Sequence, residues 1–182
     1  MKYSPLKPSD LWIIPYVQLD DGAWSIPDDS VVTLWTKLAE QNLLEMVWTM
    51  TPVDTAERLL SLMQNKSHQF HLVATPQEIA GVAWLSNFGH NSAAANFCVF
   101  REFWGKNALI LAKHSLDYWF SFQVDGKPLL KVIFGQTPEH NRLATMFLRR
   151  IGMKVLGTIP YMGYDPYEDR DVGLVISYIT RG

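Results

Sequence analysis

Few side chains in this 182-residue chain can move protons or hold anions, and they are scattered. His90 closes the turn-like cluster Asn87-Phe88-Gly89-His90. An imidazole with its ordinary pKa near 6.5 suits a proton acceptor at neutral pH, and an exposed loop histidine is the plainer alternative. Glu139 and His140 stand just before Asn141, where a carboxylate either takes a proton or complements a helix start. Tyr161, Tyr164 and Tyr167 are phenols that can give a proton or pack a loop. Lys106 follows Gly105 at the start of a helical pattern. A lysine there works against the helix dipole, so a nearby anion would account for it. His68 and His71 project to opposite faces of a strand, and with a single cysteine no metal site is expected. Cys98 lies in an apolar run and reads as a small buried hydrophobe.

The elements that must position these groups follow from periodicity. Leu11 to Leu19 reads as a strand, with Pro15 arguing for an edge or a bulge. Asp28, Asp29 and Ser30 are N-cap types for a helix through Val31, Leu34, Leu38 and Leu43. Thr51-Pro52 opens a second helix carrying Ala56, Leu59, Leu60 and Met63. Gln69 to Ala74 and Ile79 to Leu85 form a hairpin about Thr75-Pro76-Gln77-Glu78, and Ala93 to Phe100 is the next strand. A helix spans 105–122, Leu129 to Phe134 is a buried strand, and His140 to Ile151 is a helix ended by Gly152. Lys154 to Ile159 and Val172 to Tyr178 are the last strands, joined by a long loop. The order β-α-α-β-β-β-α-β-α-β-β gives an α+β or mixed α/β class. It implies one mixed sheet of about seven strands with helices on both faces.

Composition bounds the rest. Apolar residues at 48% and charged residues at 19% supply one core, so residues 1–182 are expected to form a single domain. A net charge of -2 argues against a phosphate-gripping nucleic-acid surface. Met1 to Asp10 has two prolines and no apolar stretch behind Lys2 and Lys7, and no run is long enough for a bilayer. A cytoplasmic protein without membrane partners is the expectation. The aromatic content is high, 13% with seven tryptophans. Trp84 and Trp119 read as core, and the remaining rings are expected around the N-terminal helices and the last loop.

Two local motifs and the element order resemble the GNAT superfamily of acyl-CoA-dependent N-acyltransferases, over roughly residues 10–180. Residues 96–106, Asn-Phe-Cys-Val-Phe-Arg-Glu-Phe-Trp-Gly-Lys, are similar to the family's central strand and its pyrophosphate turn. The Trp-Gly-Lys step resembles the ribosomal-protein acetyltransferase branch. Asn141-x-x-Ala144-x-x-Phe147-Leu148-x-x-x-Gly152-Met153 is similar to the following helix. The resemblance implies that backbone of Phe97, Cys98, Val99 and Phe100 holds the pantetheine. It implies that Trp104, Gly105, Lys106 and Asn107 hold the pyrophosphate, and that Asn141 supports the cofactor or fixes its loop. The co-substrate would be acetyl-CoA or another acyl-CoA, with direct transfer to a small-molecule or peptide amine. The acceptor would lie over the first two helices and the tyrosine loop, and the assembly would be a monomer or homodimer. His90, Glu139, Tyr161 and Tyr164 are the candidate acid–base groups.

The departures are equally specific. Asn107 and Leu109 stand where the family's phosphate turn has small residues. Leu148 stands where a tyrosine commonly protonates the thiolate, and residues 91–100 hold no carboxylate. A GNAT-fold binding or structural protein without catalysis, like degenerate phage-encoded relatives, is the alternative.

Overall fold

The computed structural model describes residues 6–181. The start of the Met1 to Asp10 segment therefore lies outside the described residues. The elements are β1 (Trp12–Pro15), α1 (Asp28–Glu40), α2 (Leu44–Val47), α3 (Ala56–Gln64), β2 (Gln69–Ala74), β3 (Ile79–Ser86), β4 (Ser92–Val99), α4 (Lys106–Ser121), the short pair β5 (Gln123–Val124) and β6 (Lys127–Pro128), β7 (Val132–Pro138), α5 (Arg142–Arg150), β8 (Lys154–Asp165) and β9 (Arg170–Thr180). Seven strands make one sheet in the order β1-β2-β3-β4-β7-β9-β8, and β4–β7 is its parallel pair. Pro15 does lie in an edge strand.

The core is built in cross-strand rows. Phe70, Trp84 and Asn96 stand side by side on β2, β3 and β4, facing α1–α3. Trp48, just after α2, stacks on Trp84 at 5.3 Å, and Phe70 stacks on Trp84 at 5.1 Å. The neighbouring row, His71, Ala83 and Phe97, faces the other way. Small Ala83 leaves room there for Trp119 of α4, whose ring meets both His71 and Phe97. Helices thus cover both faces, each burying one apolar stripe.

Several boundaries differ from the periodicity, each for a local reason. Asp28, Asp29 and Ser30 sit inside α1 with Pro27 as its N-cap residue, so none of them caps, and the two aspartates complement the dipole. Pro52 does not open α3. Val53 is pulled into the core first, and the helix starts where the Thr55 hydroxyl accepts from the Arg58 N–H at 3.2 Å. The apolar run from Leu129 splits: Leu130 is buried ahead of the strand, and β7 continues through Pro138 because β9 pairs with it as far as Leu174. The tyrosine-rich segment is mostly strand. β8 and β9 pair from Lys154/Tyr178 to Asp165/Arg170, with register shifts at Val155/Gly157 and Ile159/Gly163. Tyr161 takes φ +57° in the second shift.

Candidate functional site

β4 and β7 pair at Ser92/Val132, Ala93/Ile133 and Ala94/Phe134, and then separate. Beyond Ala94 the edge of β4 that would face β7 is open. Phe100 N–H donates to Ala80 on β3, so strand alternation turns the backbone N–H and C=O of Phe97 and Val99 toward the gap. A cavity of about 360 Å³ fills the divergence. Ala94–Phe97 line one side, Gly135–Pro138 the other, and Asn141, Ala144, Phe147 and Leu148 of α5 border it. Met46–Thr51, Leu62, His68 and Trp84 close it from the α1–α3 side, with Ser86 and Asn87. A Cβ at Gly135 would lie 2.9 Å from the Ser177 hydroxyl, so glycine lets the two strands pack there without moving that side chain.

Of the expected cofactor-binding and acid–base residues, Phe97 and Asn141 line this cavity. The Asn141 side-chain oxygen accepts from Ala144 N–H at 3.1 Å, so it caps α5. Cys98 and Phe100 continue β4 as buried core. Burial pushes the Cys98 thiol up to about 12, which makes it inert. Val99 carbonyl accepts from the Trp104 indole N–H at 2.7 Å, and Arg101 lies over that indole at 4.8 Å. Gly105, at φ +85° and ψ -129°, is the N-cap of α4, which begins with no side-chain cap and no acidic residue in its first turn. Lys106 is exposed there. Asn107 is helical and buried, accepting from Leu6 N–H at 3.0 Å.

The four acid–base candidates stand outside the cavity wall. His90 is exposed in the turn before β4. Glu139 Oε1 accepts from Gly173 N–H at 3.2 Å and so ties the end of β7 to β9. Tyr161 is 81% exposed. Tyr164 donates to Asp169, which raises its pKa together with Asp171 and Asp165.

The wall holds polar groups that the sequence reading did not assign. His68 lies between α3 and β2, just before the strand begins, and burial lowers its pKa. Its Nδ1 and the Trp48 Nε1 are buried without a hydrogen-bond partner. The only signals for them in the sequence are an aromatic excess and a histidine paired in spacing with His71. Trp84, read as plain core, is also a wall residue, whereas Trp12 is exposed on β1 and Trp24 stacks on Tyr16. Of the four N-terminal tryptophans, Trp48 is the one at the cavity. Among the described residues no cluster of metal-ligating side chains occurs, and no helix is long and apolar enough to cross a membrane.

No family model matches the sequence, and no curated protein matches it. Solved structures do match over nearly the whole chain. The spermidine N-acetyltransferase of Vibrio cholerae, in complex with CoA and spermine, is 18% identical with a TM-score of 0.71, covering 94% of this chain and 96% of its own. The acetyl transferase of Salmonella typhimurium that modifies the N-terminal serine of 50S ribosomal subunit protein L7/L12 is 12% identical with a TM-score of 0.73, covering 96% of each chain. This seven-stranded mixed sheet, which diverges between its parallel central strands and superposes on these structures over nearly the whole chain, has the GNAT fold.

Proposed function

We propose that this protein transfers an acyl group, acetyl first among them, from coenzyme A to a primary amine. The observation that carries the proposal is the end of β4–β7 pairing at Ala94/Phe134, with a cavity in the gap. The open backbone edge at Phe97 suits an extended pantetheine, which would add to β4 as a strand does. The start of α4 suits a pyrophosphate: its leading N–H groups lack a side-chain cap, Gly105 keeps the approach clear, and Lys106 adds positive charge. When bound, coenzyme A supplies the acyl group as a thioester: the ammonium form of the substrate first loses one proton to solvent, and as the neutral amine's C–N bond forms and the C–S bond breaks, its second proton ends on the CoA sulfur. The chain itself orients the amine, limits water and offers a route for the released proton. His90, Glu139, Tyr161 and Tyr164 remain candidates for that proton. Glu139 and Tyr164 are already engaged by Gly173 and Asp169, which favours release to water. Both structural neighbours named above are N-acetyltransferases, which supports an amine acceptor.

One contact favours a second reading, a GNAT fold retained for binding or structure. The Trp104 indole occupies the Val99 carbonyl at the very edge that a pantetheine would use. Calorimetry and thermal melting with acetyl-CoA separate the two. Transferase function requires heat of binding and a raised melting temperature; at a ligand concentration about 100-fold above Kd the stabilisation is about 2.7 kcal/mol. No heat and no shift at millimolar acetyl-CoA leaves the second reading.

A further inference from the structure

Trp48 is 4% exposed, yet its indole N–H has no partner, and His68 Nδ1 is likewise buried and unpartnered. Both residues line the same cavity, on its α1–α3 side. Buried polar groups are almost always paired, and an unmade bond costs about 1–3 kcal/mol. Trp48 and His68 thus bring two polar atoms without a protein partner to one wall. Their chemistry is complementary, because an indole N–H can only donate, whereas a neutral imidazole with its proton on Nε2 accepts at Nδ1. Burial keeps His68 neutral near pH 7, so it does not repel a cation.

The rest of the wall narrows the ligand. Trp84 and Trp48 stacked at 5.3 Å, with Met46, Met50 and Leu62, offer an apolar surface. None of the lining residues is Asp, Glu, Lys or Arg. A second ammonium group on the ligand would lose its water there without gaining a counter-charge.

We infer that this cavity takes a singly charged primary amine on an apolar body that also carries an oxygen acceptor, with Trp48 donating to the oxygen and His68 accepting from the amine. The inference rests on the acyl-transfer reading, and names the acceptor class for it. A polyamine is excluded from the class by the uncharged wall.

The test is calorimetry with three amines in the presence of unreactive CoA: phenylalanine amide, phenethylamine as its oxygen-free counterpart, and spermidine. Phenylalanine amide is expected to bind about tenfold more tightly than phenethylamine, the worth of one hydrogen bond, with spermidine weaker than either. Trp48→Phe should remove the preference for the amide while keeping the ring, and His68→Leu should weaken both aromatic amines. CoA affinity unchanged in each variant reports that it is folded. Spermidine binding as tightly as the amide, or an undiminished amide preference in Trp48→Phe, overturns the inference while CoA binding leaves the acyl-transfer reading standing. Heat from none of the amines means that water alone fills the cavity, and overturns it too. Failure of wild-type protein to bind CoA overturns the acyl-transfer reading instead, and the acceptor class with it.

Discussion

His71 lies wholly inside the sheet, where the Trp119 indole donates to its Nδ1 at 3.3 Å and its Nε2 has no partner. Burial pushes its pKa down to about 4. The unfolded chain binds a proton as pH drops through about 6.5, whereas the folded protein stays neutral there until about 4. Stability from this group is thus complete above pH 6.5 and is lost progressively between 6.5 and 4, by roughly 3 kcal/mol in total. His68, also lowered by burial, adds to the loss in the same direction. Urea titrations at pH 7.5, 6 and 5 should show the fall in wild type and a shallower one in His71→Gln. A flat wild-type profile over that range would contradict the assignment. The sequence shows His71 only as a histidine in an apolar strand. Its burial comes from Ala83 and Trp119, which the sheet register brings to it from other parts of the chain.

At the scale of elements, glycines mark where strands and helix ends are most tightly constrained. Gly81 on β3 has the Cys98 carbonyl oxygen 2.2 Å from where a Cβ would be, and that oxygen is backbone. Gly105 has nothing within 4 Å of such a Cβ, but its φ of +85° strains any other residue. Gly105→Ala should therefore cost roughly 1–3 kcal/mol, from conformation alone. Gly81→Ala must push β3 from β4 and should cost more than that, above roughly 3 kcal/mol. Equilibrium unfolding of both variants checks the order, and equal losses would refute it. Elements of this kind were legible to different degrees. The β2–β3 hairpin was plain because its apolar runs and its Thr75–Glu78 turn are local, the turn closing with Thr75 N–H donating to Glu78. The apolar run ends at Phe134 and so stops short of β7, whose later residues Gln136 and Thr137 are polar and are strand only through pairing with β9. The cleft is legible only through the family resemblance, which implies an open edge at Phe97–Phe100: it is an absence of pairing between β4 and β7, and no residue in either strand encodes it alone.

On the whole-molecule scale, three remote segments are held together by charge. Lys37 of α1 bonds Glu78 at 2.8 Å and Glu102 at 2.7 Å, and its ammonium lies 4.2 Å from the centre of the Phe100 ring. Burial alone would lower the Lys37 pKa, but the bonds to the two carboxylates outweigh it and hold the pKa above the usual lysine value. On the far side the sheet ends in β8, twelve residues long and exposed along nearly its whole length, with Leu156 68% and Tyr161 81% accessible. A regular, apolar strand edge of that length would recruit the same edge of another molecule and polymerise. The shifts at Val155/Gly157 and Ile159/Gly163, the φ of Tyr161, and Pro160, which has no N–H to offer, cut the edge into pieces too short to template a partner. Pro160→Val should accordingly scatter more light during refolding from denaturant at micromolar concentration, with unchanged scattering counting against the idea. The irregularity of one strand thus works against edge-to-edge association.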